Sequence, residues 1–291
     1  MNAPISPRPF PIPLVAAGPG SHEDDGLDYL EMPQGMATYQ APRLPEPEQL
    51  GGHDAAVAAL HQALAAVQAC TRGETPAPVS LAGLSPDDLA LVHQVLGEGE
   101  VSAQVLGDDG RPLVQVQESV FAGVWRVVEV LADGQVADTI ECGPVPAVLL
   151  RAAREDGASP APEPMAPPPG VMNAQSILTE LAEQRHQWRA GQPAHVVNLT
   201  LLPLSPEDIG FMDYQIGTGR VVVLSRGYGN CRITDTRVPN TWRVVYYNSQ
   251  DKVILNSVEV CAIPEVACAA PEDLADSAER LDEVLQWVAQ G

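Results

Sequence analysis

Five cysteines, Cys70, Cys142, Cys231, Cys261 and Cys268, are the side chains of this 291-residue chain best suited to nucleophilic or metal chemistry, and their spacing limits what they could do. No two of them form Cys-x-x-Cys, and the six histidines add neither His-Glu-x-x-His nor a paired Cys/His spacing, so a structural zinc has no signature. An odd set of scattered thiols suits reduced cysteines better than a disulfide framework. Cys70 continues the apolar stripe of a helical run and reads as a small core residue. One redox option stays open, in which Cys231, Cys261 and Cys268 transiently take an iron–sulfur cluster, although only the last two are close in sequence. No Ser stands in Gly-x-Ser-x-Gly, and paired carboxylates occur only on polar segments. No catalytic residue, metal site or cofactor is therefore expected.

Gly97-Glu98-Gly99 and Gly217-Thr218-Gly219 suggest phosphate loops, but neither is followed by Gly-Lys-Ser/Thr, and the helical run precedes them. Glycine after a helical run reads instead as a helix stop. A denser cluster lies at 225–232, Ser-Arg-Gly-Tyr-Gly-Asn-Cys-Arg. Arg226, Gly227, Tyr228, Gly229, Asn230 and Arg232 crowd into this turn, and with Arg243 on the next strand they are the candidate partner-binding residues. Arg and Tyr are favoured at binding hot spots, and glycine lets a partner approach the backbone. The alternative is a plain hairpin with a basic tip. Trp125 and Trp242, each in Trp-Arg-Val-Val, read as core rather than as stacking platforms, and Glu141 and Glu259 read as local caps or pairs rather than an acid/base couple.

The elements that would position these residues come in two similar sets. Leu84-Ser-Pro-Asp-Asp-Leu89 matches Leu204-Ser-Pro-Glu-Asp-Ile209 at an offset of 120, Trp125-Arg-Val-Val128 matches Trp242-Arg-Val-Val245 at 117, and Pro146-x-Val148 matches Pro264-x-Val266 at 118. Ser85 and Ser205 read as helix N-caps, each followed by Pro and two acids that suit the first turn. After each Gly-x-Gly come four runs with strand character, 101–106, 113–117, 124–131 and 136–141, then 220–225, 231–236, 241–247 and 253–261. Helical stripes at 54–71, 174–189 and 271–289 flank them. The expected fold is α+β: two tandem modules, each with helices on a four-stranded antiparallel meander. An extended Pro/Gly-rich arm over 1–52 precedes the first module, 53–154; a Pro-rich linker, 155–172, separates it from the second, 173–291. Apolar residues in the arm, Leu27, Tyr29, Leu30 and Met32 among them, suit docking on this chain's own core or on a partner.

The charge balance is 16 basic against 38 acidic residues, −22 in all, which opposes contact with nucleic acid. No apolar run reaches the roughly 18 residues of a membrane helix. The first residues lack the apolar stretch of a secretory signal, so a cytoplasmic location is expected.

Further blocks are distinctive: Pro11-Ile-Pro-Leu-Val-Ala-Ala-Gly-Pro-Gly-Ser21, Leu27-Asp-Tyr-Leu30, Met32-Pro-Gln-Gly-Met-Ala-Thr38, Arg226-Gly-Tyr-Gly-Asn-Cys-Arg232, Asn240-Thr-Trp-Arg-Val244 and Ile254-Leu-Asn-Ser-Val-Glu-Val260. With these the chain resembles, nearly end to end, the HupH/HyaF/HoxQ family of hydrogenase expression and formation proteins. The resemblance implies a non-enzymatic cytoplasmic accessory chaperone for [NiFe] hydrogenase that acts on the iron–sulfur small-subunit precursor before export. Another maturation factor is a further candidate partner. The resemblance supplies no catalytic residues.

Overall fold

The computed structural model describes residues 52–159, 165–227 and 229–289, so the arm expected over 1–52 lies, apart from Gly52, outside the described residues. The first half runs α1 (Asp54–Thr71), β1 (Val79–Ser80), α2 (Pro86–Leu96), β2 (Val101–Leu106), β3 (Pro112–Glu118), β4 (Val124–Val130), β5 (Val136–Cys142) and α3 (Ala147–Ala158). The second runs α4 (Ala174–Gln187), β6 (His195–Asn198), α5 (Pro206–Ile216), β7 (Val221–Ser225), β8 (Asn230–Asp235), β9 (Thr241–Tyr247), β10 (Val253–Val260) and α6 (Pro271–Ala289).

Local chemistry sets these boundaries. The Ser85 hydroxyl accepts the Asp88 amide at 3.1 Å at the start of α2, and Ser205 and Asp208 form a reciprocal capping box at the start of α5. Gly97 and Gly217 end these helices at φ 58° and 65°, in the left-handed region that costs glycine least. Gly99 and Gly219 meet a different demand. A Cβ at Gly99 would strike the Ser119 carbonyl, and one at Gly219 would strike the Asp235 carboxylate. Gly-x-Gly is thus a helix stop followed by a tight crossing of chains.

The expected pair of four-stranded sheets is corrected. Among the described residues there is one ten-stranded antiparallel sheet, in the order β1-β5-β4-β3-β2-β7-β8-β9-β10-β6. β2 and β7 join its halves, with Val101 opposite Ser225, Ala103 opposite Val223 and Val105 opposite Val221. The seam is extended at both ends, by Arg226 N–H to the Glu100 carbonyl (3.1 Å) and Leu106 N–H to the Arg220 carbonyl (2.9 Å). Ala103 and Val223 are also the residues the 120 offset makes equivalent, so the pairing is self-complementary about them. Each strand alone would leave a row of unpaired N–H and C=O groups, and joining them satisfies both rows.

Alternation along the strands divides the core. One face buries Trp125 and Trp242 with Ala103, Val116, Val223 and Ile233 beneath Val148, Leu149 and Ala152 of α3. The opposite face carries α1 and α2 over the first half, and α4 and α5 over the second. α6 then crosses from the second half to the first, packing Leu274, Leu281 and Leu285 into the cluster that holds Leu60, Leu64 and Val67 of α1. A second correction concerns residues 155–158, expected to be linker: they form the last turn of α3, where Asp156 is buried. Residues 160–164 lie outside the described set, and 165–168 have no regular structure.

Candidate functional site

The turn between β7 and β8 is the place to test the expected binding residues. Arg226 ties the turn to the first half through its backbone N–H, which donates to the Glu100 carbonyl. Gly227 is exposed and lies against the Glu100 carboxylate, which would have to swing aside for a Cβ. Tyr228 lies outside the described residues. Gly229, at φ 104°, turns the chain back, and Asn230 opens β8 opposite Tyr247. Arg226, Gly227, Gly229 and Asn230 form one accessible tip on the seam between the halves.

Arg232 and Arg243 are not part of that tip. Arg232 lies on the same face of the sheet as Arg243, half-buried, with its Nε lacking a hydrogen bond. Burial lowers its pKa, with the neighbouring Tyr247 opposing. Arg243 is 1% exposed and forms an ion pair at 3.0 Å with Asp213 of α5. Its guanidinium is enclosed between sheet and helix, so a partner could not reach it without moving α5. The alignment of this pair is imperfect, because both Asp213 oxygens and the Arg243 Nε and Nη1 lack a well-directed hydrogen bond. Burial raises the Asp213 pKa to about 6 against the pull of Arg243, and burial likewise lowers that of Arg243.

The indoles are structural. Trp125 and Trp242 are each 1% exposed, and their N–H groups donate to the Gly143 carbonyl (2.9 Å) and the Ala262 carbonyl (3.2 Å). Glu141 accepts the Ala147 amide at the start of α3, a local cap. Burial raises the pKa of Glu259.

All five cysteines are free. Burial pushes the Cys231 thiol up to about 12 and Cys268 to about 11, and raises Cys261 further with help from Glu259, Cys268 and Glu265. Such thiols resist the deprotonation that cluster ligation requires. Among the described residues no group of three or more His, Cys, Asp or Glu is placed to hold a metal ion. Cys70, near Glu74, is also raised by burial, and it donates to the Cys142 carbonyl at 3.2 Å.

Two groups of charged residues were not singled out from sequence. Asp213 could have been noticed, since it stands between Ile209 and Ile216 at spacings of four and three, on the inner face of α5. Asp156, Arg220 and Asp235 converge from α3, the start of β7 and the end of β8. No spacing signals that meeting, because it depends on how α3 crosses to the second half.

The C-terminal conserved region of the HupH hydrogenase expression protein matches this chain twice, over residues 54–163 and 171–288. The hydrogenase expression/formation protein HoxQ of Cupriavidus necator is 52% identical over 280 residues, spanning 96% of this chain and 98% of its own. The hydrogenase expression/formation protein HupH of Rhodobacter capsulatus is 45% identical over 96% of this chain and 98% of its own. The hydrogenase-1 operon protein HyaF of Escherichia coli is 36% identical over 73% of each chain.

Proposed function

We propose, since this chain belongs to the HupH family of hydrogenase expression proteins, that it is a non-enzymatic chaperone of [NiFe] hydrogenase maturation that binds the iron–sulfur small-subunit precursor in the cytoplasm before export. The observation that carries the reading is similarity over nearly the whole chain to proteins named for hydrogenase expression and formation. Both halves match the same family region, which also favours descent of the two halves from one duplicated module.

Physical features support binding rather than turnover. The net charge of −22 attracts a basic segment of a precursor and speeds encounter. The accessible tip formed by Arg226, Gly227, Gly229 and Asn230, with Tyr228 between them in sequence, is the proposed contact, and Arg232 lies two residues further along β8. Arg243 is assigned to the core instead. Another maturation factor is a second partner in this reading.

Affinity capture tests it. The tagged chain, expressed beside the hydrogenase subunits, should retain the small-subunit precursor and lose it once the mature subunit has been exported. Retention of the large subunit alone, or of neither, would overturn the assignment of the client.

A further inference from the structure

We propose that Asp156 and Asp235 form a proton-sharing latch, which helps Arg220 fix the end of α3 to the second half of the chain and is weakened when the shared proton is lost. Two consecutive amides place the carboxyl groups side by side. Arg220 N–H donates to Asp156 Oδ2 at 2.6 Å, and Val221 N–H donates to Asp235 Oδ1 at 2.9 Å. Both acids are enclosed, with residues 7% and 2% exposed. Gly219 allows this approach, because the Asp235 carboxyl fills the space a Cβ would take.

The charges around the pair do not balance two carboxylates. Arg220 gives its Nε to Asp156 Oδ1 at 2.6 Å and an Nη2 to Glu155 at 2.8 Å, so its guanidinium is committed to α3. Asp235 Oδ2 receives no N–H donor. A proton on that oxygen satisfies it, and donating the proton to Asp156 turns a repulsive contact into a hydrogen bond. The other groups facing the junction are Asp108, Glu155 and Arg237, which line a polar cleft of about 300 Å³ together with Asp156, Thr218 and Arg220. Burial and the Asp156 carboxylate together push Asp235 up to about 9, in agreement with the geometry. Loss of the proton to solvent would leave two carboxylates in contact. Beside the Arg220 contacts, Gly157 of α3 is backed against Pro239 of the second half.

The sign follows from linkage. A carboxyl raised in the folded state contributes stability that is full below its unfolded value and is gone once pH has passed about 9. Thermal melting of the full chain and of Asp235→Asn should therefore give a difference in Tm that falls from about pH 5 to about pH 9 and then levels, because the amide supplies an N–H to Asp156 at every pH. A difference constant across that range would overturn the latch. Infrared spectroscopy of a Glu118→Gln chain, which lacks the other carboxyl raised to about 7, keeps the question decidable if the Asp235 variant does not fold: a protonated-carboxyl band should be present slightly above neutral pH and vanish in strong alkali. Its absence slightly above neutral pH would reject the shared proton.

Discussion

Arg243 on β9 and Asp213 on α5 form an enclosed ion pair at 3.0 Å, and the first half solves the same problem with the acid in another place. There Arg126, the equivalent of Arg243, takes Asp138 of β5 in a two-pronged contact at 3.0 and 2.7 Å. The helix position equivalent to Asp213 is His93, and the strand position equivalent to Asp138 is Asn256, as the offsets of 120 and 118 require. One carboxylate per arginine is kept, but it moves from strand to helix. His93 Nε2 and Asn256 Oδ1 are left without hydrogen bonds, and burial lowers the His93 pKa.

The two pairs should respond differently to truncation. Asp213→Ala leaves a buried guanidinium unpaired and should cost about 3–5 kcal/mol. Asp138→Ala acts on a pair open to solvent on its arginine side and should cost about 1 kcal/mol or less. Urea denaturation of both variants measures the difference, and equal losses would contradict the burial argument.

Glycine substitutions should change sign with position. Gly99→Ala drives a methyl group into the Ser119 carbonyl and should destabilise by about 1–3 kcal/mol. Gly210 sits inside α5 with open space around it, and Gly210→Ala should stabilise by about 0.4–1 kcal/mol through lower unfolded-state entropy and better helix propensity. Thermal melts of the two variants on opposite sides of wild type are the expected result.

Acid stability should depend on Asp208. Burial works against its charge, but the amides of Ala174, Ser205, Asn173 and Met172 bring its pKa down to about 2. A depressed carboxylate contributes stability above its unfolded value and loses it as pH falls through the folded one. The window therefore runs from about pH 4 down to about pH 2. Glu118 has the opposite sign: raised to about 7 by burial, it contributes fully below its unfolded value, and that contribution is lost as pH rises through about 7. Asp208→Asn should flatten the acid limb, and Glu118→Gln should gain on wild type as pH rises from about 4.5 to about 7.

Client binding should separate from folding at the β7–β8 turn. Replacing Arg226 and Tyr228 by Ala keeps the backbone bond to Glu100 and should weaken capture of the precursor by about 2 kcal/mol, roughly thirtyfold, if the tip is the hot spot. Trp242→Ala should instead lower stability by about 3–5 kcal/mol. A double variant that melts and binds like wild type would remove the tip from the interface.

Salt should slow that association. Exposed charges are screened beyond about 8 Å at physiological ionic strength, so a steered encounter loses mainly on-rate. Surface plasmon resonance in dilute and physiological buffer measures both rate constants, and an on-rate insensitive to salt would leave charge out of recognition.

Much of the local structure was present in the sequence because its causes are local. Ser85 and Ser205 cap the helices they precede, Gly97 and Gly217 end them, and the β-branched runs after each Gly-x-Gly become strands within a residue or two of the expected limits. The repeated Trp-Arg-Val-Val marked two equivalent strands, and the large apolar area of the indoles put them in the core. What alternation could not tell is what covers the other face: Arg243 looked available because nothing in its neighbourhood reveals Asp213 above it. The tertiary structure alone decided that β2 pairs with β7, that α6 returns to α1, and that α3 extends through Asp156 to meet Arg220 and Asp235. Each of these joins residues far apart in the chain. Their pairing is chosen by which edges and apolar faces remain unsatisfied after the local elements have formed, and that is a property of the assembled halves rather than of any segment.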